Sequence, residues 1–453
     1  MNWNLPESRL AVLLLIRLKM YPYTLSILDY FCGFSNSLFP AWLEMEAGKT
    51  GSREQEMGKR KQVNIGIIGA GFLAETRGRC YSKAGGIDAR IAAVADTDPE
   101  RAAAFCRRFE VSDAYPDFRD ILKRTDIDMV DLCVPNHLHR PMAVAAAQAG
   151  KHVVCTKPLT AYVGQDLPEG VRDSLVSDQP RRKMLAMAAE DAEAMVDAAE
   201  KAGVRLMYGE NWIFAPAMSR TVSLLAASRA SILEMRGGEI HSGSHSPFSK
   251  VWRYTGGGSL VRLGAHPIGA MIYLKQEEGM ARNGKPIRPV SVFAEIGDLS
   301  RVTPAGDKTW IAGGWQDVEN WATVIITFED GSRGTAWASD AALGGMESRL
   351  EVLASNCHFK LNLSSNNLVQ AFSLSPEVFS GAYIMEKIET SAGWNTPMPD
   401  EDWTSGHLAM CQAFARSVAE GSDVPSDGRL GMEVVRVIYS AYCSAGEGAR
   451  VML

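Results

Sequence analysis

The sequence predicts an α/β protein in two parts: a parallel sheet with helices on both faces, then a second α/β domain built on hairpins. Three observations carry this. Between 63 and 156, short β-branched runs alternate with helical patterns, the order that produces a parallel sheet. A glycine-rich turn joins the first run to the first helix. From 318 to 339, VENWATVIITFEDGSRGTAWAS sets two alternating runs around an Asp-Gly turn, a hairpin signal. At 453 residues the chain is also too long for one small core.

Residues 1–60 are expected to be a poorly ordered extension. LAVLLLI gives only seven apolar residues before Arg17 and Lys19, against the roughly 20 that a membrane span needs. MNWNLPESR offers neither the basic start nor the small-residue cleavage site of a signal peptide. A membrane anchor is the alternative reading of this segment.

The first strand and turn lie in VNIGIIGAGFLAETRGRCYSKAG (63–85), where Gly69-Ala70-Gly71-Phe72-Leu73-Ala74 opens a helix. Glycines allow a tight turn and close approach of a pyrophosphate, and the helix start offers free N–H groups. A second strand, ARIAAVADTD, delivers Asp96, which lies 22 residues beyond Ala74. A carboxylate there can accept both ribose hydroxyls and repels a 2′-phosphate, which favours NAD over NADP. Its alternative role is an N-cap on the helix predicted over 99–109. MVDLCVP (129–135) is the third strand; helix 141–149 runs from Pro141 to Gly150, and HVVCT (152–156) is the fourth. Ligands of such sheets sit outside the carboxyl ends of the strands. Pro135, Asn136, His137 and His139 follow one such end, and Lys157 the next.

The net charge of −6 and the lack of a basic stripe argue against nucleic acid. The eight cysteines show no C-x-x-C pair or metal-like spacing, so a reducing, cytoplasmic setting is expected. His241 and His245 in EIHSGSHSPF lie near glycine, serine and proline rather than on a helix. They read as hydrogen-bonding groups of a substrate pocket, with metal binding as the alternative, and no metal is expected. Trp252 and Tyr254 are either stacking surfaces for a sugar ring or core aromatics.

GIIGAGFLA, VADTDPERA, VDLCVPNHLH, AGKHVVCTKPL, GGGSLVRLGAHPIG and the closing helices from HLAMCQAF onward occur in one order over 61–453. In this the chain resembles the Gfo/Idh/MocA family of NAD(P)-dependent oxidoreductases, which includes glucose–fructose oxidoreductase and inositol dehydrogenases. The resemblance implies a Rossmann domain, placed over 61–212. It also implies an α/β domain over 213–453 whose large, open, mostly antiparallel sheet forms a homo-oligomer interface. It implies NAD contacts at Gly69, Gly71, Phe72, Leu73, Asp96, Pro135, Asn136, His139 and Lys157. Lys157 matches the lysine of the family's Glu-Lys-Pro, and His266 the histidine of its Asp-x-Gly-x-His; both are the expected catalytic residues. Arg262, His245, Asn211 and Trp252 are the expected substrate contacts.

Three features depart from the family. Cys155-Thr156 stands where the glutamate is expected, and Arg262 where the aspartate is. A guanidinium is no base at neutral pH, but it can clamp an anion or form a structural ion pair. Between Thr160 and Ala186, GQDLPEGVRDSLVSDQPRRKM adds a polar stretch that reads as a lid, an oligomer contact or a plain surface loop.

The expected activity is hydride transfer between nicotinamide and a secondary hydroxyl of a sugar, cyclitol or sugar acid. A neutral imidazole can take the hydroxyl proton, and a lysine with lowered pKa can orient the oxygen. The alternatives are an enzyme that retains NAD and oxidises transiently during elimination or hydrolysis, and a non-catalytic NAD-sensing protein. The partner is a small polyhydroxylated molecule, with no nucleic acid and no membrane.

Overall fold

A computed structural model describes residues 62–244, 246–304, 306–364 and 369–453. The extension expected over 1–60 lies outside these residues.

The first sheet is parallel, with strands β1 (Gln62–Ile68), β2 (Asp88–Ala95), β3 (Ala114–Tyr115), β4 (Met129–Leu132), β5 (His152–Thr156) and β6 (Leu206–Gly209), in the order β3-β2-β1-β4-β5-β6. β4 and β6 are buried throughout, as expected of strands covered on both faces. The order reverses between β1 and β4, so crossovers of one hand place helices on opposite faces. On one side, α1 (Phe72–Ser82) packs against α2 (Pro99–Phe109). On the other, α3 (His139–Gln148) packs against α4 (Arg181–Ala202). Asp98, not Asp96, caps α2, accepting from the N–H groups of Glu100 and Arg101. The reason is positional: Asp98 precedes Pro99 at the first helical position.

After α5 (Pro216–Ser228), a second sheet takes over, with β7 (Ile232–Ile240), β8 (Pro289–Gly297), β9 (Trp321–Phe328), β10 (Arg333–Ser339), β11 (Glu347–Ala354) and β12 (His358–Asn362). A small ribbon, β13 (Ala371–Ser373) with β14 (Gly393–Asn395), stands apart, and β15 (Val451–Met452) closes the edge. The order is β12-β11-β7-β10-β9-β8-β15, antiparallel except between β7 and β10. The Asp330-Gly331 turn joins β9 to β10 as the sequence predicts, with Gly331 at φ +86°. Burial alternates along β9 and β10, so one face meets helix α6 (Ala265–Asn283) and the other stays open.

The chain then returns to its first sheet. Helix α7 (His407–Glu420) packs on α1, and α8 (Gly428–Glu447) packs on α4 and β6. Just before α8, the Tyr208 N–H donates to the Ser426 carbonyl at 2.9 Å, and Met207 bridges to Asp427.

The polar insertion packs against the second half of the chain. Arg253 donates to Asp173 and to the Val171 carbonyl, both at 2.6 Å, and Arg181 lies 4.3 Å over the Trp252 ring. The stretch is pinned to the turn at Trp252–Thr255.

Candidate active site

At the end of β1, Gly69 has φ +91°, and an added Cβ would lie 2.3 Å from the Cys133 carbonyl. Only glycine fits there. Two residues on, a Cβ at Gly71 would meet nothing, and Phe72 is 75% exposed. Gly71 begins α1 without a side-chain cap, so the first N–H groups of that helix face open space. Asp96 Oδ2 accepts from the Ala70 N–H at 2.7 Å, tying the end of β2 to the glycine turn. Its Oδ1 accepts from the Asp98 N–H at 2.8 Å and from Arg101 at 3.1 Å. An uncapped helix start above a bare backbone, flanked by a carboxylate, fits a pyrophosphate and its ribose.

The rim after β4 is more structural than expected. Asn136 donates to the Thr255 carbonyl at 2.8 Å, joining the first sheet's rim to the second half of the chain. Pro135 starts the single turn Asn136–Leu138. His139 is 0% exposed, its ring held between the Val134 carbonyl (3.0 Å) and the Pro158 carbonyl (2.9 Å). It fastens the end of β4 to the Lys157-Pro158 turn, and the expected cofactor contact is not available to it. Burial pulls its pKa down, against those carbonyls.

A cleft of about 860 Å³ opens beside the glycine turn. Phe72, Leu73, Lys157, Asn211, Arg262 and His266 of the expected residues line it. The Lys157 ammonium donates to the Arg262 carbonyl. Burial pulls its pKa below the usual lysine value, opposed by the charges of Glu239 and Glu210. His266, near the start of α6, stacks on Trp212 with ring centroids 5.7 Å apart. Its Nδ1 lies 2.7 Å from Glu210 Oε1, which also accepts from the Trp212 N–H at 3.1 Å. A carboxylate at Nδ1 selects the tautomer with its proton there, leaving the Nε2 lone pair for the cleft. Nε2 lies 3.8 Å from Glu239 Oε1.

Arg262 pairs with Asp340, which is buried at the end of β10, and its guanidinium lies 5.4 Å from the Trp315 ring. Burial pushes the Asp340 carboxyl up, and Arg262 opposes that. The guanidinium charge is thus balanced inside the protein, which weakens the expectation of an anion clamp. Arg262→Ala is expected to lower the melting temperature without altering preference between neutral and acidic substrates, since it strips the buried Asp340 carboxylate of its guanidinium and leaves the His241 ring, 3.5 Å away, beside it. Thermal unfolding together with a comparison of KM values checks this.

Other expected residues sit differently. Trp252 is 1% exposed; its Nε1–H donates to the Tyr162 carbonyl at 3.0 Å, and its ring meets Tyr442 at 4.9 Å. It is a core residue, with no face for a substrate. Tyr254 packs edge-on against Phe248. Asn211 is buried and donates to the Ser405 carbonyl at 2.7 Å while lining the cleft. His241 also lines it, with Nδ1 accepting the Gly243 N–H at 2.8 Å, and His245 lies outside the described residues.

Sequence reasoning missed Glu210, Glu239, Glu386 and His407. Glu210 directly follows β6, so the rule that singled out Lys157 could have found it. Glu239 is an acid within the buried end of β7, an unusual place that carried a signal. Glu386 lines the cleft, its carboxyl pushed up by burial and by Glu239. His407 begins α7 with Nδ1 3.4 Å from Arg77; burial and that charge hold its pKa well below the usual value. The same arm of chain is clamped to α1 by Arg79, which donates twice to Asp402 at 3.0 Å.

Residues 63–168 match the oxidoreductase family Gfo/Idh/MocA, NAD-binding Rossmann fold, and residues 238–453 match that family's C-terminal alpha/beta domain. Levoglucosan dehydrogenase of Pseudarthrobacter phenanthrenivorans is 28% identical over 301 residues, covering 63% of this chain and 69% of that protein. D-apiose dehydrogenase of Paraburkholderia graminis is 24% identical over 407 residues, covering 87% and 90%. An NADP-dependent D-xylose 1-dehydrogenase of Haloferax volcanii is 23% identical over 368 residues, covering 80% and 91%. Among solved structures, GenD2 from gentamicin A biosynthesis in complex with NAD superposes with a TM-score of 0.68 at 22% identity, covering 87% of this chain and 97% of that one. Levoglucosan dehydrogenase with NADH and levoglucosan gives 0.62 at 21% identity, covering 87% and 99%. The chain belongs to the Gfo/Idh/MocA family of oxidoreductases.

Proposed function

We propose that this enzyme oxidises a secondary hydroxyl of a neutral sugar or cyclitol with NAD, with Lys157 and His266 at the reacting carbon. The observation that carries it is His266, fixed by Glu210 and Trp212 so that Nε2 serves the same cleft as Lys157 beside the glycine turn. Gly69, Gly71 and the start of α1 would hold the pyrophosphate, and Asp96 the ribose. A nicotinamide held there would supply the acceptor for the carbinol hydride. His266 Nε2 receives the hydroxyl proton, and Glu210 stabilises the imidazolium from Nδ1. Lys157, its pKa lowered by burial, holds the oxygen that becomes the carbonyl. Tying it to the Arg262 carbonyl fixes its reach.

A neutral substrate is favoured over a sugar acid because Glu239 and Glu386 line the cleft while Arg262 is already paired. The relatives named for levoglucosan and D-apiose are consistent with that class. We assign 61–212 to cofactor binding and 213–453 to substrate binding, with the open sheet face as the contact between copies. Absorbance at 340 nm with a panel of polyols and sugar acids tests the reading. Steady NADH formation on neutral polyols is expected. Product without net NADH would favour transient oxidation, and tight NAD binding without turnover would favour a sensor.

NAD is expected to bind at least about tenfold more tightly than NADP, since the Asp96 carboxylate would face a 2′-phosphate. Asp96→Asn should narrow the gap. Equal affinities in the unaltered protein, measured by titration of both cofactors, would overturn the assignment.

A further inference from the structure

We propose that Glu239 is a catalytic residue: its carboxylate holds the reacting hydroxyl beside His266 and stabilises the imidazolium as it forms. This rests on the function proposed above. The ring of His266 is closed on the Nδ1 side by Glu210 at 2.7 Å and on one face by Trp212, so Nε2 is its working atom. The carboxylate oxygen facing Nε2 is Glu239 Oε1, at 3.8 Å. That separation is too long for a hydrogen bond, yet an oxygen can sit at about 2.8 Å from both atoms. Glu239 lines the cleft and is only 5% exposed. Its Oε2 accepts from the Ser348 hydroxyl at 3.0 Å, an arrangement that aims Oε1 toward the histidine.

A charge buried at the end of β7 is unfavourable unless partnered. The Ser348 hydroxyl and the charge of the Lys157 ammonium meet part of that need; a substrate hydroxyl and the nascent imidazolium supply the rest. Arg262 cannot, since its guanidinium pairs with Asp340. In the step itself the carbinol C–H bond breaks and its electron pair passes, with the hydrogen, to oxidised nicotinamide. The O–H bond breaks and its proton passes to His266 Nε2, and the C=O bond forms. Glu239 takes no proton. It offsets the positive charge that the imidazole acquires, from the side opposite Glu210.

The competing role is structural, because Glu239 and Ser348 are cross-strand partners between β7 and β11. Glu239→Gln separates the two, keeping the volume and the acceptor for Ser348 while removing the charge. Ser348→Ala is the converse control, losing the cross-strand bond and keeping the carboxylate. For Glu239→Gln the expected results are unchanged NADH affinity, about 10²-fold lower kcat and a larger primary isotope effect with carbon-deuterated polyol. Polyol binding to the enzyme–NADH complex, followed by NADH fluorescence, should weaken about tenfold. Ser348→Ala should show a small loss of kcat and an unchanged isotope effect. Wild-type kcat, isotope effect and polyol affinity in Glu239→Gln would overturn the proposal while leaving the function standing. Losses in both variants that merely track their melting temperatures would also overturn it. If the unaltered enzyme turns over no polyol, the functional reading falls, and this assignment with it.

Discussion

Lys157→Ala and His266→Ala should each cut turnover by about 10²–10⁴-fold, the usual contribution of a positioned acid–base group. NAD affinity should change little in either, because the glycine turn and α1 are remote from both substitutions in the chain and carry the pyrophosphate site. The two should differ in a further respect. Lys157 also joins the turn after β5 to the Arg262 carbonyl, so its loss should slightly lower the melting temperature as well. Replacing His266 empties a space against Trp212 and strands the Glu210 carboxylate, which is 0% exposed. His266→Gln, which can still donate toward Glu210, is therefore the cleaner variant. Steady-state kinetics with cofactor titration reads the outcome. Full activity in His266→Gln would remove the histidine from the mechanism.

Asp131→Ala should destabilise the protein by about 3–5 kcal/mol, a large share of the stability of a typical domain. Asp131 and Arg77 are 0% and 1% exposed and approach to 3.3 Å, and the Tyr81 hydroxyl donates to the same carboxylate at 2.9 Å. Removing the acid leaves a guanidinium in the core beneath Gly209, where an added Cβ would lie 3.0 Å from Arg77 Nη2. Asp131→Leu combined with Arg77→Met should recover part of the loss, since it removes both buried charges and leaves the Tyr81 hydroxyl without its acceptor. Denaturant unfolding of both singles and the double variant measures the coupling. Strictly additive losses would show that the two groups do not act as a pair.

The elements that were legible in the sequence are those governed by backbone rules. Gly69 is demanded by a positive φ and by the Cys133 carbonyl, and Lys157 by the convention that parallel strands present ligands at their carboxyl ends. His266 was legible through its match to the histidine of the family's motif. What polarity patterns do not encode is which way a rim residue turns. His139 and Trp252 looked like ligand contacts, yet one is clasped by carbonyls and the other buried under Arg181. The acids were hidden for a different reason. Glu210 and Glu239 come from strands of two sheets, 29 positions apart in sequence, and only the packing of α6 between them sets both against one imidazole. Glu386 and His407 arrive on an arm with little local periodicity, placed by its clamp on α1.

The return of α8 to the first sheet constrains how the protein can be made. On the ribosome, β1 to β6 emerge some two hundred residues ahead of Ser426 and the helix that seals β6. Until then that edge strand and the face of α4 that α8 covers are bare. The first sheet therefore cannot mature as the chain emerges, and its completion waits on a contact of very long sequence separation. Such contacts slow folding and prolong the life of an exposed strand edge. Synthesis at low temperature or with added chaperones should accordingly raise the soluble yield more than stabilising the nucleotide-binding turn would.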